Sequence, residues 1–115
     1  MKEPIVLRCV TYRRSANNIF RVWIRKDDEV SDLKEVIKEK KQNDFANIDA
    51  DRLTLWRVSV PVDDNADAAL AGLVLENSKE RGIKELRPID RISVIFPGNL
   101  AENHVHVIVQ PPATG

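Results

Sequence analysis

Apolar and polar positions alternate near the start of the chain. Phe20, Val22 and Ile24 fall on one face of a period-two ladder, and Ile19, Arg21, Trp23 and Arg25 on the other. Residues 5–12 are β-branched and apolar, interrupted by Arg8 and Thr11, and the polar run 13–18 separates the two stretches. The pattern predicts a hairpin of strands over 5–12 and 19–26 with the Phe20 face inward. The period then lengthens. Leu33, Val36 and Ile37 form a narrow helical stripe, Ser31 is placed to cap it and Asp32 to complement its dipole, which predicts a helix over 32–41. Gln42, Asn43 and Asp44 break it, and Phe45 and Ile48 are expected to fold back as a lid.

A third strand is predicted over 52–60. There Leu53, Leu55 and Arg57 alternate against Thr54, Trp56 and Val58, and Pro61 closes the strand. The run 63–65 offers a cap to a second helix over 66–79, with Ala66, Ala69, Leu70, Leu73 and Val74 as its apolar face and Gly82 beyond its end. A short strand over 83–86, a helical turn capped by Asp90 with Ile92 and Phe96 inward, and a last strand over 104–110 complete the order. This order predicts an α+β fold of the β-grasp, ubiquitin-like type. It has a mixed sheet of four or five strands, one main helix covering one sheet face, an inserted second helix, and a final strand beside the first. One domain is expected over 1–112, and 113–115 read as the start of a linker.

Composition narrows the function classes. At 115 residues the chain suits one small domain, and 43% hydrophobic against 31% charged residues suits one core under a solvated surface. Eighteen basic and eighteen acidic residues cancel, which argues against a general polyanion binder. The charge is bipolar: 1–60 carry a net +3 and 61–115 a net −3. The single cysteine excludes an internal disulfide. Apolar runs are too short to cross a bilayer, and the 5–7 run meets Arg8 before it can form the core of a secretory signal.

Candidate chemistry is sparse. His104 and His106 lie two apart on one strand, but no third ligand stands at a zinc spacing, so they read as surface or edge-strand histidines and no metal is expected. Cys9 sits in a strand and reads as a small buried hydrophobe. No acid–base pair of carboxylates and no Gly-rich phosphate loop is marked, so no catalytic residue, no cofactor and no enzyme activity is expected. The trio Arg21, Trp23 and Arg25 has three readings: an ordinary outer sheet face whose indole packs on Trp56 or the inserted helix, a protein-docking face, or a base-stacking platform. A protein partner is expected and no nucleic acid or membrane, and Arg21, Trp23, Arg25 and Trp56 are the candidate protein contacts. Pairing of an edge strand between copies offers a homodimer.

Several blocks together resemble a known family. The stretch 32–41, followed by Phe45 and 48–53, is similar to the N-terminal header of Crinkler effectors, where "DLKxxIKxKKxxxFxxIDAxxLxLW" leads into the third strand. The stretch 85–96 resembles fungal members. His106, Val107, Ile108, Val109 and Pro112 stand where the family's HVLVVVP boundary motif stands. Leu53, Leu55 and Trp56 match the start of the oomycete delivery motif LxLFLAK, but Arg57, Val58 and Ser59 replace its end.

The resemblance implies a modular secreted effector acting in the host cell and often in its nucleus. Its ubiquitin-like header serves trafficking or protein interaction, and a nuclease- or kinase-like activity lies in a following C-terminal domain. On that reading 113–115 lead toward an effector domain that this chain lacks. The end Ala113-Thr114-Gly115 has no diglycine, so conjugation as a modifier is not expected. The alternative is an intracellular β-grasp adaptor of the Ras-association or scaffold type, binding an acidic partner through Arg21, Arg25 and Lys26.

Overall fold

The computed structural model describes residues 4–14, 16–98, 100 and 102–112. The expected linker at 113–115 lies outside the described residues. The elements are β1 (Ile5–Thr11), β2 (Phe20–Ile24), α1 (Val30–Lys40), β3 (Thr54–Pro61), α2 (Ala66–Ala71), β4 (Lys84–Glu85), α3 (Ile92–Ile95) and β5 (His104–Gln110). The sheet order is β2-β1-β5-β3-β4. β1 pairs antiparallel with β2 and parallel with β5, and β3 pairs antiparallel with both β5 and β4. A hairpin, a crossing helix and a last strand laid parallel to the first make the mixed five-stranded α+β sheet of a β-grasp, as the order of elements predicts.

Both sheet faces carry a core, the second of them without β2, which corrects the expectation of one covered face. On the α1 side, Leu7, Cys9, Phe20, Val22, Ile24, Leu55, Val107 and Val109 pack beneath Leu33 and Ile37, and Phe45 closes the end as the folded-back lid. On the other side, Val10, Trp56, Val58, Val60 and Ile108 form a second core with Leu70 and Ile83 of the inserted segment. Each face therefore removes apolar area from water, and β5, central and double-faced, is buried from Val105 to Val109.

The element ends shift for physical reasons. α1 begins at Val30, so Ser31 lies inside it and Glu29 holds the cap position. Asp32 Oδ2 accepts the Glu29 N–H at 3.0 Å, the return half of a capping box. α2 stops at Ala71 instead of 79, where Gly72 follows, leaving Ala69 and Val74 exposed. Gly82 serves a later turn: its φ is +70°, and Ser78 and Ile83 exchange backbone bonds of 2.8 and 3.0 Å around it. The space where a Cβ would stand is open. Gly82→Ala is therefore expected to cost about 1 kcal/mol through backbone conformation alone, read from a denaturant melt.

The N-terminus of α1 is tied to the loop before α3. The Val30 N–H donates to Asp90 O at 2.9 Å, Ser31 N–H to Pro88 O at 3.0 Å and Ile92 N–H to Asp28 O at 2.9 Å. Helix donors that would otherwise need side-chain caps are satisfied by another segment's carbonyls. Asp90 is not the cap of α3, a place taken by Arg91. Its carboxylate instead accepts the Arg87 N–H at 3.1 Å and the Arg87 guanidinium at 3.0 Å. The Arg87 side-chain bond, foremost, holds this carboxyl below its usual pKa. A lowered folded pKa stabilises the fold above the usual carboxylate range, and that contribution is lost as pH falls through the lowered value. Asp90→Asn is expected to melt earlier than the parent at neutral pH, by no more than about 1 kcal/mol, with the difference closing in acid.

Candidate protein-docking face

β2 is an edge strand whose alternation puts Arg21 and Trp23 on the face turned away from α1, and the exposed Arg25 follows just past its end. Trp23 is 50% exposed. The neighbouring β1 sets Val6 opposite Trp23 and Arg8 opposite Arg21, both half-buried. Arg21 Cζ lies 5.6 Å from the Trp23 ring centroid, so the cation lies over the indole. The Asp28 carboxylate accepts the Arg25 backbone N–H at 3.2 Å, and the Arg25 side chain is exposed. The second core ends short of this region, leaving an aromatic anchor between two arginines beside an open strand edge. Indole and guanidinium are the side chains most enriched at protein contacts. Val6 and Arg8 belong to this face too, and the period-two pattern of β1 was the signal that could have found them.

Trp56 does not join them. It points away from Leu53 and Leu55, as expected, but it is 8% exposed within the second core, with its Nε1 donating to Gln110 Oε1 at 2.9 Å. It is a packing residue of the folded chain, which corrects its place among the protein contacts and leaves no indole–indole contact with Trp23. Leu53 and Leu55, at 1% and 0% exposure, belong to the first core.

The boundary residues His106, Val107, Ile108 and Val109 are buried in the central strand, and Pro112 is half-buried just after it. His106 is thus neither a surface nor an edge-strand residue. Its Nδ1 accepts the Arg8 N–H at 3.0 Å, and its ring meets Phe96 edge-on at 6.4 Å. His104 Nδ1 sits 2.7 Å from Glu102 O, so the two rings serve different partners. Among the described residues no group of three His, Cys, Asp or Glu side chains gathers as metal ligands. Cys9 is fully buried, and burial raises its thiol pKa far above the ordinary value, which leaves no thiolate for attack.

The sequence profile described as the Crinkler effector protein N-terminal domain matches residues 5–110. The chain belongs to the Crinkler family. It is similar to Crinkler effector protein 1 of Rhizophagus irregularis, with 43% identity over 108 residues, covering 94% of this chain and 22% of that protein. Crinkler effector protein 16 of Phytophthora infestans is 29% identical over 107 residues, 90% of this chain and 17% of the relative. Crinkler effector protein 108 of Phytophthora sojae is 51% identical over 41 residues, 36% of this chain and 5% of the relative. The chain thus spans about a fifth of the length of the first two relatives. The higher identity over the whole domain lies with the fungal Crinkler, as the departures from LxLFLAK imply. No solved structure matches.

Proposed function

We propose that this Crinkler domain is a non-catalytic header of a secreted effector and works inside the host cell by protein contact through the outward face of β2. The observation that carries the reading is Trp23, half exposed on an edge strand, with Arg21 before it on the strand and Arg25 just past the strand's end. An open edge offers main-chain hydrogen bonds to an added strand, and the arginines favour an acidic one. Delivery and activity elsewhere in a longer protein are consistent with relatives named as effectors, of which this domain matches a minor share.

The test is retention of host proteins on the folded domain, beside Arg21→Glu/Arg25→Glu and Trp23→Ser variants. Both variants are expected to melt as the parent does, because their side chains are exposed. Each is expected to lose the retained partner, with parental retention weakening as salt rises. A partner retained equally by all three proteins would place the contact elsewhere. The adaptor reading uses the same strand but needs no export, so secretion of a tagged full-length relative separates the two.

A further inference from the structure

Arg57 and Lys84 stand directly opposite each other in the antiparallel β3–β4 pair. Paired residues project to one face, and like charges placed so repel. Neither forms an ion pair among the described residues, where the pair present is Arg87–Asp90. Asp90 is within electrostatic range of Lys84, but it commits both carboxylate oxygens to Arg87. Glu85 is paired with Trp56 and so takes the other face.

The two cations instead line a cleft of about 520 Å³ with Asn77, Ser78, Lys79 and Gly82, and no carboxylate is among its lining residues. The walls are built, not loose. Arg57 Nη1 donates to Ile95 O at 3.1 Å, which fixes the half-buried guanidinium and leaves its other N–H groups as donors. Asn77 Oδ1 accepts the Glu85 N–H at 2.9 Å, which ties this wall to β4. The 78–83 turn is locked by the Ser78–Ile83 bonds and by Gly82 N–H to Lys79 O at 3.3 Å, which holds the backbone that carries Lys79.

The geometry points to an oxyanion site: the cleft takes a phosphate monoester group, with Arg57 as the planar fork and Lys79 and Lys84 as point charges. A dianion between Arg57 and Lys84 turns their repulsion into shared attraction. The site lies at the β4 edge of the sheet, opposite the β2 edge, so it is separate from the docking face and does not depend on it.

The same chemistry could come from free phosphate or from a phosphoserine side chain, and the titration distinguishes them. The ¹⁵N-labelled chain is titrated at constant ionic strength with inorganic phosphate, with a short phosphoserine peptide, with its unphosphorylated form and with chloride. Saturable amide shifts are expected at Gly82, Ile83 and Lys84 with both phosphate ligands and with neither control. Tighter binding of the phosphopeptide assigns the site to a modified protein, and equal binding assigns it to the free anion. Lys84→Gln is expected to weaken binding about tenfold, the loss of one charged hydrogen bond. The same variant is expected to melt no lower than the parent in phosphate-free buffer while losing the phosphate-induced rise in Tm. Shifts that fail to saturate, or an equal rise in Tm in parent and Lys84→Gln, would overturn the site.

Discussion

A Trp56→Ala chain is expected to lose about 3–5 kcal/mol of stability, among the largest effects of any single truncation in this fold. The indole fills the second core between Val10, Val58, Leu70 and Ile108, so its removal leaves a cavity where two layers meet. Its Nε1 also satisfies Gln110 Oε1 at 2.9 Å, and that amide loses its partner. Trp56→Phe, which keeps most of the volume and drops the hydrogen bond, is expected to fall well short of this loss. A denaturant melt of both variants decides the matter: a Trp56→Ala chain as stable as the parent would mean that the second core is not formed in solution. Trp56 is accordingly a poor probe of binding, since a partner lost with it reports unfolding.

Leu53→Ala and Leu55→Ala are each expected to cost about 2–5 kcal/mol. For a chain of this size that lowers Tm by roughly 4 °C per kcal/mol. Both leucines are almost wholly enclosed in the first core, Leu55 paired with Val109 across β3–β5. The consequence concerns the segment that resembles a delivery motif. In the folded domain its leucines face inward, so a transport defect in such variants has instability as its first explanation. Measuring Tm beside transport separates the two: a variant that melts as the parent does yet fails to be delivered would show that the segment is read directly, in an open form of the chain.

Much of this architecture was legible. The Phe20, Val22 and Ile24 alternation showed which face of β2 turns inward, and the stripe at Leu33 and Ile37 showed the helix that covers it. What alternation cannot show is whether the opposite face is also covered. Period two sends Trp56 and Trp23 to one side of the sheet, and whether either reaches water depends on how far the inserted segment extends across it. That segment ends over β3 and β5, burying Trp56 and sparing Trp23. The α2 prediction overran because Leu73 and Val74 continue the helical spacing past Gly72, although only Leu73 packs on the second core. His106 was misplaced because a strand's position in a sheet is set by its partners, and its ring bond to the Arg8 N–H joins groups 98 residues apart. The Arg57–Lys84 register was invisible too: β4 has two residues, too few for a pattern that shows which β3 residue each one pairs with.

The parallel pairing of β1 with β5 has a mechanical consequence. The chain enters the sheet at the start of β1 and leaves it at the end of β5, so a pull on both ends slides the two strands past each other. The bonds joining Cys9, Val10 and Thr11 to Val107, Ile108 and Val109 then bear the load together, where a hairpin pulled at its open end would unzip one bond at a time. Under force the relevant quantity is an unfolding rate. A domain clamped in this way resists being threaded through a narrow pore from its ends, and it sets the step that any unfolding-dependent passage of a longer chain must overcome.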